Sequence, residues 1–345
     1  MARNGGGREP RVRLADLAET AGVSIATVSR VLNGKDGVSD DARHAVLRAL
    51  DLLGYERPPA ISPKPDGLVG LVVPELTNPV FAEFATRLIA ALANRGYTSL
   101  LCGLSAGGAT EDDCVAVLVG RGVRGIVFVS GTHADTMLRH DHYRLCAEAG
   151  IRIVLINGRP DDIDAACFTT DDAVAVEQAV AHLRQLGHTR IALLTGPRRY
   201  SPAQRKIAAF KAAMGGAHGE AAHHVFESFF TVEGGHEAAV RALRQGHTAL
   251  VCASDLMALG AVRGARSLGL DVPGDVSVVG YDDSALAVFF DPPLTTVRQP
   301  VAELVRAAAN QIIQEIQGEP GLRTELLFRP EVVVRASTGP ARAAD

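Results

Sequence analysis

The residues best placed to do chemistry lie near the start of the chain. There Ala21-Gly22-Val23-Ser24 separates two short apolar-periodic stretches and leads into Ile25, Ala26, Thr27, Ser29 and Arg30. A small residue, a glycine able to take positive φ and an inward valine build a tight turn between two closely packed helices, and Ser24 suits the cap of the second. A helix introduced this way can offer its first turns to a partner. Arg30 carries a planar guanidinium that can grip guanine O6 and N7, a contact worth ~1–3 kcal/mol of discrimination. Ser24, Thr27, Asn33 and Ser39 have hydroxyls and an amide able to hold phosphates in register. For Ser24 and Ser39, plain helix capping explains the residue equally well. Such spacing suits a helix that reads duplex DNA, although a generic three-helix bundle with Arg30 on a solvated face has the same pattern.

Catalytic patterns are missing. No P-loop, G-x-G-x-x-G, G-x-S-x-G or H-E-x-x-H occurs. The eleven histidines are mostly scattered, and His188 and the His223-His224 pair lack partners at metal spacing. The five cysteines are odd in number, far apart and free of CxxC pairs, so neither structural zinc nor a disulfide framework is expected. The sequence therefore implies no catalytic residue, no metal and no cofactor. No run of 18 apolar residues spans a membrane, and the start, MARNGGGREPRVR, has arginines without the apolar run of a secretory signal. A reduced, cytoplasmic setting fits.

The net charge of −4 argues against a protein that coats nucleic acid indiscriminately. It hides a local asymmetry, since Arg3, Arg8, Arg11 and Arg13 oppose only Glu9. If the front of the chain binds DNA, charge placement rather than charge total does the work.

The elements that must position these residues fall into two classes. Apolar spacing predicts three short helices, at about Leu14–Thr20, Ile25–Leu32 and from the cap Ser39 to Leu53, with Gly54 closing the last. The stretch YERPPAISPKPD, residues 55–66, has four prolines that disfavour a long helix. Beyond it the pattern changes. Strand-like runs at Leu68–Val73, Ser99–Cys102, Gly125–Val129 and Ile153–Ile156 alternate with helical segments, and a second series has strands near Arg190–Leu194, His224–Phe226, Leu250–Cys252 and Val276–Val279. Two such series predict two parallel α/β lobes, with a ligand cleft facing the strand carboxyl ends.

These stretches together carry a resemblance. LADLAETAGVSIATVSRVLNG, VGLVVPELTNPVFAEF, LGHTRIALLTGP, ASDLMALGAVRGARSLGLDVPGDVSVVGYDDS and PPLTTVRQP closely resemble the LacI/GalR family of transcriptional regulators, over about residues 12–337. The resemblance implies a helix-turn-helix headpiece (12–57), a hinge (58–66) and a two-lobed core like a periplasmic binding protein (67–337). The first lobe would comprise 67–168 and 299–326, the second 169–297 and 327–337. It also implies a homodimeric repressor reading palindromic double-stranded operator DNA and released by a small sugar; the residues alone leave open a corepressor ligand, an activator, or a regulator of another sugar or secondary-metabolite pathway. HADT, AQRKI and TVEGGHEAA are most similar to the maltose-responsive members from actinobacteria, so maltose or a maltodextrin is the expected effector. The segment 337–345 lacks the leucine heptads that build tetramers.

By the same resemblance Ile25 and Ala26 set operator preference. Both are apolar, so they can touch thymine methyls but cannot make bidentate hydrogen bonds. The hinge departs from the family, RPPAISPKP being shorter and proline-broken, and Ile61 is its one apolar candidate for a minor-groove wedge. In the cleft the resemblance points to Asn78, Phe81, Asn157, Phe230, Asp282 and Gln299. Lys206 stands where relatives carry arginine, with Arg205 just before it, so either could serve. Ser254 stands where many relatives have asparagine. Ordinary core packing would also account for Phe81 and Phe230, and Asp283 suits a turn anchor better than a ligand contact. A transport binding protein shares the two-lobed fold, but it would carry an export signal and no headpiece.

Overall fold

Apolar periodicity and capping account for each helix at the front of the chain. The computed structural model describes residues 14–33, 35, 37–53, 67–104, 107–215 and 223–342. Its contacts divide the chain into two units, Met1–Pro65 and Asp66–Asp345. The arginines before residue 14, and the hinge 58–66 with Ile61, lie outside the described residues.

In the first unit, α1 (Leu14–Ala21), α2 (Ile25–Leu32) and α3 (Asp40–Leu52) close around buried Leu17, Ala18, Val28, Val31, Val46, Ala49 and Leu50. Gly22 has φ +64°, and the Val23 amide donates to Ala18 O at 3.1 Å, so the chain reverses between α1 and α2 with a backbone that a side chain would strain. Leu53, expected on the buried face of α3, lies past the helix end and is 39% exposed.

The second unit holds two six-stranded sheets. The first contains β1 (Gly67–Val73), β2 (Tyr97–Gly103), β3 (Gly125–Val129), β4 (Arg152–Ile156), β5 (Ala166–Thr170) and β11 (Glu325–Phe328), in the order β11-β5-β4-β3-β1-β2. All of its pairs are parallel. Its strands alternate between two cores. Val69, Leu71 and Val73 face α4 (Pro79–Ala93) and α11 (Val301–Ile316), while Val72, Ile126 and Phe128 face α5 (Glu111–Gly120) and α6 (Asp141–Glu148). Covered on both faces, a parallel strand reads as a continuous apolar run, which is why β1 is GLVGLVV.

The second sheet runs β12-β10-β9-β8-β6-β7, from β6 (Ile191–Thr195), β7 (Val225–Glu227), β8 (Ala249–Cys252), β9 (Ser277–Asp282), β10 (Thr295–Arg298) and β12 (Glu331–Val333). Helices α7 (Asp172–Gln185) and α8 (Ser201–Met214) cover one face, α9 (Val232–Arg244) and α10 (Asp255–Ser267) the other.

The chain passes between sheets after Thr170, Arg298 and Phe328, each time at a strand's carboxyl end. In the first sheet β11 pairs with β5 as far as Phe328 opposite Thr170. The second sheet is not wholly parallel. After the crossing, β12 runs on in the direction of β11, away from the crossover, and so lies antiparallel to β10.

Helices α9 and α10 touch through glycine. A Cβ on Gly260 would sit 2.0 Å from Val232 O, and one on Gly235 would sit 2.2 Å from Met257 O, so both backbones occupy space a methyl needs. Gly260→Ala is expected to cost about 1–3 kcal/mol through overpacking. At Gly120, which has nothing within 4 Å, alanine should be neutral or stabilising by a few tenths up to ~1 kcal/mol. Chemical denaturation of the two variants side by side checks the contrast, and equal midpoints would contradict it.

Candidate DNA-reading helix and effector cleft

Helix α2 is short, and the turn before it leaves its outer face open. Ile25 is 52% exposed, Ala26 and Arg30 are also exposed, and Thr27 and Ser29 are half-buried. The Arg30 guanidinium makes no hydrogen bond or ion pair among the described residues. The other polar positions have local work. Ser24 caps α2, its Oγ accepting from the Thr27 amide at 3.1 Å. The Asn33 amide donates to Ser29 O at 2.7 Å at the far end, and Ser39 Oγ accepts from the Ala42 amide at 3.4 Å. One helix therefore displays a cation and two apolar side chains while serine and asparagine fix its ends.

In the second unit the strand ends meet in a polar seam. Asp172, in the first turn of α7, is buried and accepts from Lys206 Nζ at 2.5 Å, Arg205 Nε at 2.8 Å and Tyr281 Oη at 2.9 Å. Burial pushes the Asp172 carboxyl up, but Lys206 and Arg205 outweigh it and hold the group below its ordinary range. Lys206 Nζ also lies 3.9 Å above the Tyr281 ring. Both cations, either of which the sequence offered to a ligand, are thus already paired with a carboxylate that sequence reasoning did not single out. Arg205 retains one buried nitrogen, Nη2, with no hydrogen-bond partner among the described residues.

Asp282 and Gln299 join the same seam across the two sheets. Gln299 donates to Asp282 at 2.7 Å and accepts from Thr170 Oγ1 at 2.9 Å. Burial pushes the Asp282 carboxyl well up, and the neighbouring Asp255 charge adds to this. Burial also lifts Asp255, to about 6, although Thr296 and Ser284 hydrogen-bond to it. Asp283 points elsewhere, pairing with Arg298 and Arg335 at 2.6 Å each. Ser254 is buried and caps α10, accepting from the Met257 amide at 3.2 Å.

The remaining cleft candidates sit apart from this network. Asn78 is buried as the cap of α4, accepting from the Val80 amide at 3.4 Å, and Phe81 is half-buried against the first sheet's core. Asn157, at the end of β4 with φ +70°, donates to Ser130 Oγ at 2.9 Å. Phe230 packs half-buried on the second sheet, its ring in the space a Cβ at Gly196 would need and 6.2 Å from the Tyr200 ring.

A three-helix unit and a unit of two six-stranded sheets in one chain have counterparts among known proteins. A model of the bacterial regulatory proteins of the lacI family matches residues 13–58, and one of the periplasmic binding protein-like domain matches residues 180–338. An "uncharacterized HTH-type transcriptional regulator in aml 5'region" of Streptomyces limosus is 54% identical over 330 residues, covering 94% of each chain. The HTH-type transcriptional regulator MalR of Streptomyces coelicolor is 50% identical over 334 residues, 95% of this chain and 97% of that one. The chain belongs to the lacI family. It is accordingly a DNA-binding transcriptional regulator and not an enzyme. The solved transcriptional regulator CelR–cellobiose complex matches with a TM-score of 0.68 and 32% identity, covering 95% of this chain and 100% of that one. Among the described residues no helix is long and apolar enough to cross a membrane.

This lacI-family chain also ties its lobes together outside the seam. The Thr136 amide and hydroxyl donate to Arg199 O at 2.7 and 2.8 Å, and Arg199 Nε lies 3.1 Å from buried Asp135. The first-lobe segment behind this contact is anchored by Glu111, which accepts from the Thr132 amide at 2.8 Å, Thr132 Oγ1 at 2.9 Å, His142 Nε2 at 2.8 Å and the Tyr143 hydroxyl. Burial raises the Glu111 carboxyl, but hydrogen bonds from His142 and Tyr143 and the nearby His133 overturn this and bring it to about 2.

A carboxyl depressed in the fold stabilises above its unfolded pKa and loses that contribution as pH falls toward the folded one. Glu111 should therefore supply about 3 kcal/mol at neutral pH that disappears between roughly pH 5 and 2. Denaturation of Glu111→Gln across this range should show a shallower acid loss than the parent, and parallel curves would rule the assignment out. Asp172, Thr170, Tyr281, Asp135 and Arg199 carried no signal in the sequence, since their partners are distant along it.

Proposed function

We propose that this regulator represses sugar-utilisation genes from the cytoplasm. As a homodimer it would bind a palindromic operator and leave it when maltose or a short maltodextrin fills the cleft. The observation that carries the reading is that one chain holds both an α2 face whose Arg30 is unengaged among the described residues and a seam in which Gln299 bridges Thr170 of one sheet to Asp282 of the other. A ligand there would touch groups on both lobes and so could favour one lobe arrangement over another, which is what coupling to DNA requires.

A disaccharide is supported by the relative named MalR at half identity and by the solved relative bound to cellobiose. Arg205 Nη2, Asp282 and Gln299 supply the donors and acceptors hydroxyls need, and Asn157 and Asn78 add amides from the first lobe. Phe230 and Phe81 supply ring faces. Arg30, with Ile25 and Ala26, would read base edges, and Ser24, Thr27, Ser29, Asn33 and Ser39 would set register. A second copy of the chain is supported by exposed Leu286, Val288 and Phe289, at 45%, 49% and 81%.

The test maps the protected operator and titrates maltose, maltotriose, cellobiose and ribose against that complex. Maltose or maltotriose should weaken operator binding by about 5–150-fold. Indifference to both malto-oligosaccharides, with response to another sugar, would replace the effector and leave the operator reading intact.

A further inference from the structure

The first lobe carries a second cavity away from the seam, a groove of about 380 Å³ between α4 and α11. Its walls present three guanidiniums, Arg87 and Arg95 from the α4 side and Arg306 from α11, with the amides of Asn94 and Asn310 between them. Among the described residues no carboxylate lines it. Arg87 is partnered by Glu83 at 2.7 Å, whereas the Arg95 and Arg306 side chains make no hydrogen bond or ion pair among the described residues. Asn310 Oδ1 is buried and has no hydrogen-bond partner there either. The groove exists because alanines such as Ala309, itself 1% exposed, keep the helix faces low beneath the longer arginines.

We infer that this groove binds a phosphorylated sugar, the phosphate held by Arg95 and Arg306 and a ring hydroxyl by Asn310. Two uncompensated guanidiniums over a concave, partly apolar floor focus positive potential, and their planar forks match phosphate oxygens. The volume suits a hexose phosphate. The neighbouring cavity of about 280 Å³, which includes Gln299, suits such a ligand less, because Glu83, Asp282, Asp283 and Glu303 line it against only Arg87 and Arg298. Occupancy has a route to the cleft, for α11 begins two residues after Gln299 and α4 is capped by Asn78. The groove thus offers the regulator a second input, reporting phosphorylated carbohydrate where the cleft reports free sugar.

Calorimetric titration of the full chain with glucose 6-phosphate, inorganic phosphate and glucose tests this. Glucose 6-phosphate should bind, inorganic phosphate more weakly, and glucose not at all at this site. Arg95→Gln and Arg306→Gln should each weaken glucose 6-phosphate by on the order of tenfold. Exposed Arg121→Gln should change nothing, and all three variants should keep the parent's operator affinity without glucose 6-phosphate and its maltose response. No binding of glucose 6-phosphate, equal binding of glucose, or affinity unmoved in the double arginine variant would each overturn the site. These titrations need neither operator nor maltose, so failure of the maltose reading would leave them interpretable.

Discussion

Asp172→Ala is expected to destabilise the effector core by about 3–5 kcal/mol. The carboxylate is the acceptor for Lys206, Arg205 and Tyr281 at 2.5–2.9 Å. Lys206 is only 5% exposed. Removing the acceptor leaves an ammonium without its hydrogen-bonded carboxylate, facing the Tyr281 ring 3.9 Å away and the neighbouring Asp282, and a buried charge stripped of its partner costs far more than an exposed pair is worth. Arg205, nearer the surface, can recover water and should contribute less. In thermal melts the core midpoint should fall by about 6–15 °C. Pairing Asp172→Ala with Lys206→Met, which removes the stranded ammonium, should recover much of the loss. A shift below ~1 kcal/mol for the single variant would mean that the seam relaxes or admits water and is not a fixed, dehydrated network.

Arg30→Ala is expected to do the opposite, removing operator discrimination while leaving the fold and sugar affinity alone. The side chain is exposed and unengaged within the described residues, so truncation breaks no intramolecular contact, and stability should stay within ~0.5 kcal/mol. On DNA the lost guanine contact should cost about 1–3 kcal/mol in each half-site, and a dimer meets the loss twice. Residual binding should be weak, salt-sensitive and far less selective, because the phosphate contacts proposed for Ser24, Thr27, Asn33 and Ser39 do not involve Arg30. Footprinting alongside a sugar titration checks both halves at once. Protection of the same site at the same concentration would show that α2 does not present Arg30 to bases.

How much of this was legible beforehand can be argued from adjacent pairs of residues. Helix α2 begins and ends where spacing placed it, because Ser24 and Gly22 fix the turn by purely local geometry. Asp171 and Asp172 are indistinguishable by type and position, yet Asp171 caps α7 through the Ala173 and Val174 amides while Asp172 turns inward to two cations. Asp282 and Asp283 divide in the same way, one toward Gln299 and the other toward Arg298 and Arg335. One residue of rotation along a backbone sends a side chain to a different neighbourhood. The strands β5 and β10 escaped notice because their threonines interrupt the apolar run that marks a buried strand; pairing on both sides makes them strands all the same.

Taken alone, the order of residues determined the helical reader at the front, the two α/β series behind it and the family they belong to, since period, cap and turn act over a few residues. Tertiary structure decided which polar groups remain available. Thr170 and Gln299 stand 129 positions apart, and Asp172 and Lys206 stand 34 apart. A passage between sheets brings Thr170 to Gln299, and the packing of α7 beside α8 brings Asp172 to Lys206; burial there converts ordinary carboxylates and cations into a fixed, dehydrated seam.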